Sequence, residues 1–262
     1  MNITFYKYHG TGNDFIIIDN RDNQYDTLTS KQVKFLCDRR FGIGADGLML
    51  LKHRDGYDFE MVYYNADGNP STMCGNGGRC LVKFAHQVGI HKYTYRFFAI
   101  DGDHEAEIDN SNIIRLKMKD VNAVDEHPTY TVVDTGSPHY IKFTNDVMQT
   151  DVVHAGRTIR NSPAFAAEGI NVNFVESTGQ DSIFVRTYER GVEDETMSCG
   201  TGATAAALMS AHNDIGFNRV EVKTPGGHLS VEYNKTGERT FQDIWLCGPA
   251  TFVFKGELEL IK

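Results

Sequence analysis

One tetrapeptide pattern occurs twice in this chain and limits its architecture more than any other feature. Cys74-Gly-Asn-Gly77 recurs as Cys199-Gly-Thr-Gly202, 125 residues on (74 to 199), and Thr11-Gly12 recurs as Thr135-Gly136, 124 residues on (12 to 136). The order of predicted elements repeats around these landmarks. Strands are predicted over 3–8, 15–19, 48–51 and 57–64, with a helix capped at Thr29 or Ser30, a second helix over 81–88 ended by Gly89, and short strands from 95 to 119. The second half is predicted as strands over 130–134, 140–143, 171–175 and 182–188, a helix over 203–212, then strands over 220–224, 229–233, 244–246 and 251–254. Two landmarks at nearly one offset, inside matching element orders, point to a diverged internal duplication. The expected fold is therefore α+β, with two pseudo-symmetric domains over 1–120 and 121–250. Chance similarity of glycine-rich turns is the competing explanation.

Composition narrows the function classes. The 262 residues carry 26 basic against 35 acidic side chains, a formal charge of −9, and no basic run longer than Arg39-Arg40, so nucleic acid and anionic membrane are poor partners. The segment Met1 to Tyr8 lacks a signal-peptide pattern and no stretch approaches the roughly 18 apolar residues of a membrane span. A cytoplasmic location is expected. The five cysteines, Cys37, Cys74, Cys80, Cys199 and Cys247, are odd in number and contain no C-x-x-C pair, which argues against a disulfide framework, a zinc ribbon or a thioredoxin-type site. No metal is expected. Gly42-Ile-Gly-Ala-Asp-Gly47 fits G-x-G-x-x-G, but it follows a predicted helix and enters a strand, the reverse of the dinucleotide fingerprint. No cofactor motif remains.

The paired cysteine loops carry the chemistry. Each lies between extended segments and an apolar helix, so the amides after each cysteine are the unpaired donors of a helix N-terminus. The helix dipole there favours a thiolate, and the same amides can hold a carboxylate. If two domains face each other across a pseudo-two-fold, Cys74 and Cys199 are expected on opposite walls of one cleft. One thiolate would remove an α-proton from one face while the other thiol returns a proton to the opposite face. Helix dipoles and amides gripping the carboxylate in a dry site would stabilise the carbanion without an electron-sink cofactor. A glycine turn that merely contains cysteine is the plainer reading of one such loop. Two copies at a matched offset weigh against it.

In order, His9-Gly-Thr-Gly-Asn-Asp-Phe15, Phe41-Gly-Ile-Gly-Ala-Asp-Gly47, Asn65-Ala-Asp-Gly68, Met73-Cys-Gly-Asn-Gly-Gly-Arg-Cys80, Thr135-Gly-Ser-Pro-His139, Glu189-Arg-Gly191, Glu195-Thr196 and Cys199-Gly-Thr-Gly202 resemble the diaminopimelate epimerase family along nearly the whole chain. The resemblance implies a PLP-independent epimerase, without any cofactor, that interconverts LL- and meso-diaminopimelate for lysine and peptidoglycan precursor synthesis. It implies that each domain is a curved, mostly antiparallel sheet wrapped around a central helix, with 251–262 returning to the first domain. A homodimer is left open. By position, Cys74 and Cys199 resemble the acid/base pair, with His139 and Glu189 as the polar pair beside them. Asn13, Asn65, Asn171, Glu189 and Arg190 resemble the residues that hold the substrate, and Gly75, Asn76, Gly200 and Thr201 those that bind the reacting carboxylate. Three departures bear on affinity: Ser137 where an Asn is common, Gly47 where some members carry Gln, and one extra residue near Glu193-Asp194. Proline racemases are expected to show His after the first Cys-Gly, where this chain has Asn76. A reading from a different class is a binding protein whose Cys74 and Cys199 toggle between thiols and a disulfide.

Overall fold

Continuous apolar runs such as Phe15-Ile-Ile-Ile18 and Leu48-Met-Leu-Leu51 are the signature of strands covered on both faces, and both are buried throughout. The computed structural model describes residues 2–210 and 214–260 and divides into two compact units, Met1–Leu116 with Pro249–Lys262, and Lys117–Gly248. In the first unit the chain runs β1 (Asn2–Gly10), β2 (Asn13–Asp19), α1 (Ser30–Cys37), β3 (Gly47–Lys52), β4 (Phe59–Asn65), α2 (Gly75–Gln87), β5 (Thr94–Ala99), β6 (Gly102–Ile108) and β7 (Ile114–Lys117). The second unit holds β8 (Asp125–His127), β9 (Tyr130–Asp134), β10 (Pro138–Phe143), a 3-10 turn at Val147–Gln149 and α3 (Val152–Arg160). It continues with β11 (Asn171–Gly179), β12 (Ser182–Glu189), β13 (Asp194–Thr196), α4 (Gly200–Leu208), β14 (Gly216–Thr224), β15 (Gly227–Gly237) and β16 (Thr240–Gly248). The last strand, β17 (Thr251–Glu259), pairs antiparallel with β1.

The duplication is visible in the ladders. In the first unit β1–β2 is antiparallel, β2–β3 parallel, β3–β4 antiparallel, β4–β5 parallel, and β5–β6 and β6–β7 antiparallel. The second unit repeats that order with β9–β10, β10–β11, β11–β12, β12–β14, β14–β15 and β15–β16. Each sheet wraps a helix: α2 packs against β1, β2, β3, β4 and β6, and α4 against β10, β11, β12, β14, β15 and β16. Alternation sorts the two faces of the first sheet. Ile16, Ile18, Leu48 and Leu50 join Val33 and Leu36 of α1 in one core. Phe15 and Met49 point the other way, toward Gly77 of α2, where an added Cβ would lie 3.2 Å from the Met49 sulfur. This close approach offsets the roughly 1 kcal/mol that a helical glycine costs against alanine.

Three sequence expectations change here. Helix α2 starts at Gly75 and not near 81, and α4 starts at Gly200 and not at 203, because the glycines that mask a helical pattern are its first turn. The predicted end of that helix at 212 lies outside the described residues. Helix α3 was not foreseen. Its Val152-Val153 pair and internal Gly156 read poorly as helix, yet Asp151 caps it and a Cβ at 156 would stand 2.4 Å from Tyr188.

Candidate active site

The β1–β2 connection is a two-residue turn in which Thr11 and Gly12 both have positive φ, 49° and 85°, the geometry favoured in tight hairpins. It places Asn13 at the start of β2, beside the N-terminus of α2, whose cap is Cys74. Cys74 Sγ lies 3.7 Å from Asn13 Oδ1 as its donor, and Asn76 Nδ2 donates to the same oxygen at 3.3 Å. Arg79, fully buried one turn further, donates to Gly75 O at 3.1 Å, Asn76 Oδ1 at 3.0 Å and the Thr11 hydroxyl at 3.4 Å. A buried cation thus adds to the positive end of α2 and ties it to the Thr11-Gly12 turn. Behind Asn13, its Nδ2 donates to Asp46 Oδ2 at 2.6 Å, and Arg39 bridges Asp46 and Asp14 at 2.7 and 2.5 Å. Burial works to raise the Asp14 carboxyl, but the bonds from Arg39 and Lys7 outweigh it and hold the group down at about 2. The Gly42–Gly47 segment, rejected as a dinucleotide fingerprint, supplies this anchor through Asp46.

The second unit builds its counterpart from different atoms. Cys199 caps α4 and is buried, with Thr201 Oγ1 3.4 Å from its sulfur. The same hydroxyl lies 2.9 Å from His139 Nε2, so Thr201 links the imidazole and the thiol. His139 is wholly buried, and its Nδ1 faces Asn173 Nδ2 at 3.0 Å. Desolvation pulls the imidazole down to about 3, so it is neutral near pH 7. Thr135 donates to Thr201 O at 2.8 Å, so turn and helix are tied in this unit as well, whereas in the first unit the Thr11 hydroxyl accepts from Arg79. Gly202 is required, since a Cβ there would meet Asn173 Oδ1 at 2.4 Å.

The structure brings Asn13, Cys74, Gly75 and Asn76 together in the first unit, and His139, Cys199, Gly200 and Thr201 together in the second. Asn171 and Arg190 form another group. Asn171 Nδ2 donates to Ser137 Oγ at 2.7 Å and Pro138 O at 3.2 Å, while its Oδ1 accepts from Arg190 N at 2.9 Å. The Arg190 guanidinium donates to Glu168 O at 3.0 Å and, among the described residues, pairs with no carboxylate. Glu189 ends β12 and Asn65 ends β4, where Asn65 is exposed opposite Gly47. At Gly47 a Cβ would fall 2.5 Å from Tyr63, so a tyrosine ring occupies the space a longer residue would need. An open depression of about 640 Å³ on the second unit, lined by Met148, Phe184, Arg186 and Met197 among others, contains none of the predicted site residues.

Asp46, Arg79, Asn173 and Thr187 were missed by sequence reasoning. A usable signal existed for one of them: Asn173 is a second amide in the strand-like run Asn171-Val-Asn-Phe-Val175.

The sequence model of the family described as diaminopimelate epimerase matches residues 5–124 and again 131–253. A diaminopimelate epimerase of Flavobacterium psychrophilum is 51% identical over 251 residues, covering 95% of this chain and 98% of its own. One from Aquifex aeolicus is 36% identical, covering 97% of each. Among solved structures, a PhzF-family phenazine biosynthesis protein of Bacillus anthracis superposes with a TM-score of 0.77 at 14% identity, over 99% of this chain and 100% of that one. A hydroxyproline epimerase from Agrobacterium vitis gives 0.70 at 12% identity, over 98% and 92%. At such identities these two likenesses establish the fold.

Proposed function

The chain belongs to the diaminopimelate epimerase family, and from that premise we propose that it interconverts LL- and meso-diaminopimelate, on the route to lysine and peptidoglycan precursors, with Cys74 and Cys199 as the acid/base pair and no cofactor. The observation that carries this reading is that each cysteine caps a buried helix whose first turn is glycine-rich. A carboxylate can approach the bare amides of such a turn, and the sulfur beside it is positioned to act on the adjacent carbon. One thiolate takes the α-hydrogen as a proton; the other thiol returns a proton to the opposite face. Gly75, Asn76, Gly200 and Thr201 supply the donors for the reacting carboxylate, whose charge rises toward the enolate as the proton leaves. Asn13, Asn65, Asn171, Glu189 and Arg190 hold the remainder of the substrate. The guanidinium of Arg190 suits the distal carboxylate, and Glu189 the distal ammonium. His139 acts on Cys199 through Thr201.

The test is incubation with LL-diaminopimelate in D2O. Solvent deuterium should enter the α-position as the meso epimer accumulates, and Cys74→Ala and Cys199→Ala should each lower turnover by at least about 10²-fold, the scale of one lost acid or base. Normal turnover in either variant would remove the two-base mechanism. Tight binding without exchange by fully reduced protein would favour the thiol-switched binding protein instead. Among the described residues no helix is long and apolar enough to cross a membrane, and dependence on two reduced thiols fits the cytoplasm.

A second copy of the chain is the partner proposed for β17. This strand is hydrogen-bonded to β1 along one edge, and Phe252, Val253 and Phe254 are 42%, 51% and 45% exposed. An antiparallel pairing of β17 with itself, centred on Gly256, sets Lys255 opposite Glu257 of the partner subunit on both sides of the axis.

A further inference from the structure

The two cysteines cap equivalent helices, yet the side chains facing them differ in polarity. In each unit that polarity is fixed by a neighbour that can only donate or only accept. The Asp46 carboxylate can only accept, so the Asn13 group pointing at it, 2.6 Å away, is the NH2. Arg79 can only donate, so Asn76 turns its Oδ1 to Arg79 at 3.0 Å and its Nδ2 to Asn13 at 3.3 Å. Both constraints leave Asn13 Oδ1, a pure acceptor, facing Cys74 Sγ at 3.7 Å. An acceptor in that position favours S–H over a thiolate, against the pull of the helix dipole and of Arg79, whose guanidinium is bonded to Gly75 O, Asn76 Oδ1 and Thr11.

The second unit gives the opposite result. The Tyr140 carbonyl can only accept, so the Asn173 NH2 faces it at 3.2 Å and faces His139 Nδ1 at 3.0 Å, while Thr187 donates to Asn173 Oδ1 at 2.9 Å. An NH2 group cannot accept. His139 Nδ1 therefore carries the lone pair and Nε2 the hydrogen, which is donated to Thr201 Oγ1 at 2.9 Å. The hydroxyl hydrogen of Thr201 is left for Cys199 Sγ at 3.4 Å. A donor there favours the thiolate.

We propose that these two oriented hydrogen-bond chains set opposite resting states, Cys199 as thiolate and Cys74 as thiol, with Asp46 and Asn173 as positioning residues that act through Asn13 and through His139 and Thr201. The inference rests on the reading of the two cysteines as the acid/base pair. In the resting form the Cys199 sulfur takes the α-hydrogen as a proton, and the Cys74 S–H bond breaks to give its proton to the α-carbon. The protein is left as Cys199 thiol and Cys74 thiolate. One proton from solvent to Cys74 and one from Cys199 to solvent restore the start, so the epimer that presents its hydrogen to Cys199 reacts without a prior proton shift.

The ultraviolet thiolate band of the reduced protein, recorded near neutral pH without substrate, tests this directly. Burial pushes the Cys37 thiol up to about 12 and Cys80 further still, so neither contributes. Cys199→Ser should lose the band and Cys74→Ser should keep it. Thr201→Val should lose it as well, with Thr201→Ser restoring it, an outcome that general damage to the fold would not give. In the Cys199→Ser background, Asp46→Ala combined with Asn76→Ala lifts both constraints, so that the Asn13 amide can turn its NH2 toward Cys74, and a band should appear. The proposal is overturned by a band that disappears with Cys74→Ser, by one indifferent to Thr201→Val, or by no band at all; no gain from the paired Asp46→Ala and Asn76→Ala change removes the part given to Asp46. Deuterium exchange keeps the two readings apart. Exchange in a protein whose thiolate is Cys74 sinks only this inference, whereas a thiolate at Cys199 with no exchange sinks the proposed function.

Discussion

An exposed imidazole gains a proton near pH 6.5, but His139 has no exposed surface and its Nδ1 faces an amide NH2. Protonation in the folded protein is deferred to about 3, against the ordinary 6.5. Between those values the unfolded chain holds a proton that the folded chain lacks, so stability rises with pH across the window. The contribution of His139 is complete above 6.5 and is lost as pH falls toward 3. Asp14, held at about 2, adds a second loss, confined to lower pH because an unfolded aspartate titrates near 3.8. Substituting His139→Gln should therefore flatten the fall in melting temperature across the upper part of the window, above the aspartate range. Thermal melts of both proteins at stepped pH measure the difference. Equal slopes would mean that the imidazole is solvated or charged in the folded state, and the donor chain to Cys199 would fail with it.

Short elements carry the difference between the two halves of the duplication. The offset is 124 residues from Gly47 to Asn171 and from Asn65 to Glu189, then 125 from Cys74 to Cys199, so the extra residue lies after β12. Glu193 there has φ of 60°, a conformation uncommon for a side-chain-bearing residue. Its carboxylate accepts from Gly191 N at 3.1 Å, Arg160 Nε at 3.2 Å and the Tyr188 hydroxyl at 2.9 Å. Burial opposes the charge, yet these bonds together leave the group below its usual range. The added residue therefore pins the Glu189-Arg190 turn to α3. Glu193→Ala should cost about 0.5–1.5 kcal/mol of stability, the net scale of a hydrogen bond whose partners water can reach, and raise KM for diaminopimelate several-fold with little change in kcat. Denaturant melts and steady-state kinetics check both, and an unchanged KM would detach this turn from substrate binding. The sequence shows that a residue is added near Glu193-Asp194, but not that a left-handed turn holds it in place. Elsewhere the same division holds. Thr29 and Gln32 form the cap that makes α1 readable, with Val33 and Leu36 on its buried face, and the apolar runs of β2 and β3 announce themselves. Helix α3 is hidden by β-branched residues and Gly156, and the first turns of α2 and α4 by the glycines that expose their amides. The orientation of Asn13 and Asn173 could not be read at all, because it depends on Asp46, Arg79, Tyr140 and Thr187, which meet them only in the folded sheets.

At the scale of the whole molecule, the repeat is stricter in backbone than in chemistry. Parallel and antiparallel ladders recur in the same order in both units, while in the repeat Asn13 corresponds to Ser137, Gly47 to Asn171 and Asn65 to Glu189. Duplication fixed where a side chain points, and divergence chose its polarity. β17 lies outside this scheme: it follows the second unit in sequence and adds to the edge of the first sheet beside β1. An exposed apolar edge strand is a liability unless it is covered or paired, and the three bulky residues Phe252-Val-Phe254 carry no charge to deter pairing. Lys255 and Glu257 stand two residues apart about Gly256, so a two-fold pairing makes two opposite-charge cross-strand pairs, each contributing roughly 0.2–1 kcal/mol. Lys255→Glu replaces both with like-charge pairs and should shift the assembly toward monomer. The double swap Lys255→Glu with Glu257→Lys recreates both attractions in reverse and should restore the dimer. Sedimentation velocity over a concentration series reads the outcome. A single variant that associates as tightly as the parent chain, or a double swap that remains monomeric, would place the second copy somewhere other than β17.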